Sequence, residues 1–159
     1  MAQEPNNYRP NVGIIVFNDE GKVFLGQRMG MASEYSWQFP QGGVDEGEDL
    51  ETAARRELFE ETGIRSVSLI GRTKDWVHYD FPPEVLSQNK IGRNFKGQKQ
   101  IWFAFNFVGH DQEIDLCAHG EQEFSNWQWC SLEDVVKYVV WFKRDSYESA
   151  INEIKSLIS

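Results

Sequence analysis

Apolar and polar positions alternate in short runs along this chain, switch to a helical spacing near residue 50, and take that spacing up again close to the end. Residues 11–17 (NVGIIVF) and 22–28 (KVFLGQR) read as two strands joined by Asn18, Asp19, Glu20 and Gly21, the composition of a hairpin turn. Residues 36–39 predict a short strand ending at Pro40, and Gly42, Gly43 and Gly47 then mark a loop. A helix follows over residues 49–62, with Asp49 as N-cap and Gly63 where a left-handed C-cap is wanted. Residues 67–79 and 100–108 read as long strands, separated by a proline-containing, then basic, connection, and residues 127–130 as another strand. Ser131 with Asp134 resembles a capping box opening a helix through residue 140, and Tyr147, Ile151, Ile154 and Ile158 carry helical spacing in the last segment. The expected class is α/β, with helices packed on a mixed sheet in one domain spanning residues 1–159.

The first helix changes chemistry along one face. Leu50, Ala53 and Ala54 begin it as an apolar stripe, and Glu57, Glu60 and Glu61 continue it as an anionic one. Three carboxylates turned towards a core repel one another, and burial penalises each charge. Arg56 reaches Glu60 at i,i+4, but one guanidinium cannot neutralise three acids. Hard divalent cations with oxygen ligands can, which points to Mg²⁺ or Mn²⁺. A solvated charged helix is the plain alternative, and the continuity of the face argues against it.

Composition narrows the setting. A chain of 159 residues with 40% hydrophobic positions suffices for one core, and a net charge of −9 argues against a surface that coats nucleic acid broadly. The run KIGRNFKGQKQ nevertheless gathers Lys90, Arg93, Lys96 and Lys99 without an acid, leaving room for a local anion site. The polar first ten residues lack a signal-peptide core, and no run has the ~18 apolar residues of a membrane helix. Cys117 and Cys130 have no metal-ligand spacing and read as buried, reduced thiols, so a cytoplasmic protein is expected. With His78, His110 and His119 they form no triad, which leaves little support for a redox or nucleophilic enzyme.

Residues 42–64, GGVDEGEDLETAARRELFEETGI, carry Gly42, Glu48, Arg56, Glu57, Leu58, Glu60, Glu61 and Gly63 at the spacing of the Nudix box, which the stretch resembles at every specified position. The resemblance implies an α/β/α sandwich with a loop, helix and loop as catalytic box. It also implies Mg²⁺ or Mn²⁺ on Glu57, Glu60 and Glu61, while Gly42, Glu48, Arg56 and Gly63 hold the box in shape. Such cations screen a polyphosphate against its own negative charge during attack by water. Glu121 and Glu123 stand as candidates to complete the site.

YRPNVGIIVFN, WQFPQGGVDEGE, GQKQIWF, EFSNWQW and FKRDSY extend the likeness to most of the chain, and together look like bacterial RNA 5′-pyrophosphohydrolases, a subgroup with relatives that cleave dinucleoside polyphosphates. That resemblance selects Glu123 as the fourth acid. It implies phosphate contacts from Arg9 and Lys143, base contacts from Arg28 and Phe142, and further substrate contacts from Tyr79, Gln98 and Lys99. The implied partners are 5′-triphosphorylated RNA or a nucleoside polyphosphate, no membrane, and a monomeric enzyme. Trp141 departs from the pattern, where a smaller residue is expected. A dinucleoside polyphosphate hydrolase is the alternative on substrate. An inactive nucleotide-binding module is the alternative on class, and the box has lost no glutamate.

Overall fold

The computed structural model describes residues 7–30, 33–86, 95–117 and 121–158. Lys90, Arg93 and His119 lie outside them. The long central strands are β1 (Tyr8–Phe17) and β7 (Gly97–Phe107), which run parallel in continuous register from Tyr8↔Gly97 to Phe17↔Asn106. The hairpin partner β2 (Val23–Arg28) follows a turn in which Asn18 Oδ1 accepts from the amides of Glu20 and Lys22. The remaining strands, β3 (Trp37–Gln38), β4 (Gln41–Gly43), β5 (Val67–Arg72), β6 (Val77–Asp80) and β8 (Phe124–Cys130), add antiparallel pairings to one eight-stranded mixed sheet.

Period-two alternation on β1 sends Val12, Ile14 and Val16 to one core and Ile15 and Phe17 to the other. The helix α1 (Leu50–Thr62) covers the first face with Ala53, Ala54 and Leu58, and α4 (Arg144–Ile158) covers the second with Tyr147, Ala150, Ile151 and Ile154. The expected helix–sheet–helix layering is thus present. Short helices α2 (Pro83–Leu86) and α3 (Val135–Tyr138) complete the described set. Among the described residues no helix is long and apolar enough to cross a membrane.

Several local expectations need correction. The single strand read over 67–79 is two, β5 and β6, both paired with β7, because the register slips between Leu69 and Gly71 and Thr73 turns inward. There the Thr73 hydroxyl accepts from the Trp102 amide at 3.0 Å, while the Thr73 amide donates to the Trp102 carbonyl at 2.9 Å. The capping box at Ser131 does not form. Its hydroxyl lies 2.6 Å from Glu133 instead, so the segment starts as a 3₁₀ turn and only four residues become α-helix. Gly42 and Gly43, read as loop, belong to β4, since their backbone pairs with Val12 and Asn11. Ile158 is exposed beyond the last buried turn of α4, and Cys117 is exposed while Cys130 is buried; both thiols are free.

Candidate active site

The first helix begins and ends as its caps dictate. Asp49 Oδ2 accepts from the Thr52 amide at 3.1 Å, and Gly63, at φ 76°, returns its amide to the Phe59 carbonyl at 2.8 Å. Arg56 ties this helix to the loop before it. Its Nε and Nη2 grip both Glu48 oxygens at 2.8 and 2.9 Å, Nη2 also donates to the Gly43 carbonyl at 3.1 Å, and Nη1 reaches Glu57 at 2.9 Å and Glu60 at 3.0 Å. Hydrogen bonds from Arg56 and from the Asp45 amide hold the Glu48 carboxyl down at about 2.

The three helix acids are not equivalent. Glu61 is buried, the Glu57 side chain is 16% exposed and that of Glu60 44%, so the inward face expected for all three holds for Glu57 and Glu61 while Glu60 stands at its margin. Burial raises both the Glu57 and Glu61 carboxyls above the usual range, Glu61 strongly, with the charges of Glu57 and Glu123 adding to the rise at Glu61. A Cβ at Gly42 would fall 2.0 Å from Glu57 Cδ, so only glycine lets the backbone of β4 pass this close. The next amide back, on Gln41, donates to Glu61 Oε1 at 3.4 Å.

A cationic and aromatic wall stands beyond these acids. Lys143 is buried on the 3₁₀ turn Trp141–Lys143. Burial, then the charge of Arg28, pushes its ammonium down to about 8, against a smaller pull from Glu61. Its Nζ lies 5.8 Å from the centre of the Tyr79 ring, and Phe142 stands 6.0 Å from the same ring. Arg28 and Arg9 both act on the Tyr79 hydroxyl, which burial pushes up to about 12. Arg9 also lies against the backbone of Gly43. Glu57, Glu61, Glu123, Arg9, Arg28, Tyr79, Phe142, Lys143 and Gln98 are therefore neighbours by contact or by charge.

Lys99 is set apart. Alternation along β7 turns Gln98 and Gln100 with Trp102 towards α4, whereas Lys99 goes to the other face, 4.6 Å over the Trp76 ring. Glu121 is exposed and has no contact with the box among those described, whereas Glu123 acts on Glu61. Trp141 is 62% exposed and packs edge-on against Phe142. Sequence reasoning missed Asn11, Gln41 and Gln100, whose side-chain amides join Gln98 in a row that is buried except at half-buried Gln41. The signal was there: polar residues at every second position of a strand that leads into buried Trp102.

The acids suit a hard divalent cation. Their donors are all carboxylate oxygens, and Glu61 is buried beside two like charges. Among the described residues no three candidate ligands are grouped around one point, and Arg56 donates to both Glu57 and Glu60.

A mixed sheet between two helical layers, carrying a loop–helix–loop of glutamates locked by one arginine, defines a Nudix fold, and the chain belongs to the Nudix family: the NUDIX domain matches residues 7–150. Nudix hydrolases are in general dependent on divalent metal. Among curated relatives, the RNA pyrophosphohydrolase of Caulobacter vibrioides (strain NA1000 / CB15N) is 56% identical over 144 residues, covering 91% of this chain and 84% of the relative. The RNA pyrophosphohydrolase of Wolbachia pipientis wMel is 43% identical, covering 99% of this chain and 96% of its own. Among solved structures, the E. coli dihydroneopterin triphosphate pyrophosphohydrolase superposes with a TM-score of 0.67 at 20% identity, over 91% of this chain and 98% of that one, a likeness of fold.

Proposed function

We propose that this chain removes pyrophosphate from the 5′-triphosphate end of RNA, leaving a 5′-monophosphate, through attack of water on phosphorus. The supporting observation is one cluster in which a buried carboxyl pair neighbours three cations and two aromatic rings. Glu57, Glu60, Glu61 and Glu123 would hold Mg²⁺, or Mn²⁺ in its place, and the bound ion would supply charge to screen the phosphates and polarise the attacked centre. Arg56 and Glu48 keep the helix and its preceding loop in register. Arg9 and Lys143 neutralise the phosphate chain, and Arg28 with Phe142 offers flat faces to an unpaired 5′ base. Contact confined to the first nucleotides agrees with a net charge of −9. The enzyme acts as a cytoplasmic monomer.

The 56% identity to a protein named RNA pyrophosphohydrolase supports this substrate over dinucleoside polyphosphates. The test is incubation with 5′-labelled triphosphate RNA across a Mg²⁺ and Mn²⁺ series, alongside diadenosine tetraphosphate. Release of pyrophosphate from RNA at the higher kcat/KM is expected. No release from RNA at any metal concentration overturns the proposal.

A further inference from the structure

Next to Tyr79, four side-chain amides form a row that is buried or half-buried and has a definite direction. Gln100 Nε2 donates to Asn11 Oδ1 at 2.8 Å and to Gln41 Oε1 at 3.0 Å. Asn11 Nδ2 donates to Gln98 Oε1 at 3.0 Å, and Gln98 Nε2 donates to the Tyr79 hydroxyl. Each amide has one donor end and one acceptor end, so once a link is set the others follow. The row starts at Gln100 Oε1, which is buried without a partner among the described residues, and ends on a phenol oxygen that accepts.

A tyrosine oxygen that accepts from Gln98 keeps its own proton to give away, and no described residue takes it. The surroundings decide which acceptor suits it. Arg9 and Arg28 both act on this hydroxyl, and Lys143 stands against the ring, so the partner that best fits is anionic. Resting on the substrate class proposed above, we infer that Asn11, Gln98 and Gln100 are positioning residues whose one-way amide row commits the Tyr79 hydroxyl to donate to a phosphate oxygen of the substrate. Tyr79 then recognises the phosphate chain by its hydroxyl, and base stacking falls to Phe142.

An aspartate at position 11 is the same size as asparagine but only accepts when ionised. It would take hydrogen bonds from both Gln98 and Gln100, turn the Gln98 oxygen towards Tyr79, and draw the phenol proton inward. Two quantities are read for wild type, Tyr79→Phe, Asn11→Asp and the double variant. They are kcat and KM on 5′-triphosphate RNA with Mg²⁺, and the Kd for inorganic tripolyphosphate in EDTA. Each single change is expected to weaken binding and raise KM by on the order of tenfold, one hydrogen bond to a charged acceptor, with kcat nearly unchanged.

The double variant is expected to be no worse than either single one. Simple charge repulsion from the new acid would persist without the hydroxyl and multiply the losses to about a hundredfold. That product would overturn the inference, as would an unaffected Asn11→Asp, a loss carried by kcat alone, or a wild type that binds neither probe. If Asn11→Asp does not fold, Gln98→Glu imposes the same reversal at the last link and carries the same expectation. Coupled losses in tripolyphosphate binding with no turnover of RNA would sustain the row and remove the RNA substrate, so the two proposals fail separately.

Discussion

The Glu57 carboxylate occupies the space that any side chain at Gly42 would need: a Cβ there would lie 2.0 Å from Glu57 Cδ and 2.1 Å from Oε2. The contact is between a strand and a helix that are otherwise held together by Arg56, so neither side is free to retreat. Gly42→Ala is therefore expected to displace Glu57 and lower kcat/KM by on the order of a hundredfold, the cost of a misplaced group in a catalytic array. Steady-state kinetics with a thermal melt checks this. Full activity in the alanine variant contradicts the close approach.

The Glu48–Arg56 pair makes stability respond to acid. The folded Glu48 carboxyl sits at about 2, below its ordinary 4.5, so its contribution is fully present above about 4.5 and is lost as pH falls towards 2. Glu48→Gln should lower the urea midpoint at pH 7, and the gap to wild type should narrow as the solution is acidified from pH 5. Denaturation at a series of pH values reads the gap. A gap that widens in acid contradicts the assignment.

Lys143 gives the opposite kind of pH dependence, in substrate capture. Its ammonium is held at about 8 by burial and by Arg28, so the free enzyme loses that positive charge as pH rises through about 8. On the proposed role, KM for triphosphate RNA should climb across that range. Lys143→Arg should flatten the climb, since a guanidinium stays charged. Lys143→Met should raise the thermal midpoint at pH 7, by removing a buried charge, and weaken substrate binding. Parallel melts and pH–KM profiles distinguish these outcomes.

Much of this was legible from local chemistry. The helix caps at Asp49 and Gly63 lie within one turn of chain, and so does the i,i+4 pairing of Arg56 with Glu60. What escaped depends on contacts distant in sequence. The break between β5 and β6 arises because Thr73 bonds Trp102, 29 residues away, and no local pattern announces it. Lys99 and Gln98 look alike in the run GQKQ, yet strand alternation, which the pairings of β7 with β1 and β6 anchor, sends them to opposite faces. Asn11 reads as an ordinary strand residue until the parallel pairing of β1 with β7 sets it beside Gln100. Glu60 falls at the edge of the buried face because buried Leu58 and Thr62 centre that face on the other flank of the helix.

The central claim is that the Glu57–Glu61 pair carries the divalent ion on which hydrolysis depends. It is tested most directly by the turnover of Glu61→Gln on 5′-triphosphate RNA at saturating Mg²⁺. The side chain keeps its size and can still meet the Gln41 amide, so folding should survive. A loss in kcat of at least about a hundredfold is expected, the scale on which a group stabilising developing charge is felt. Wild-type turnover by Glu61→Gln would contradict the account.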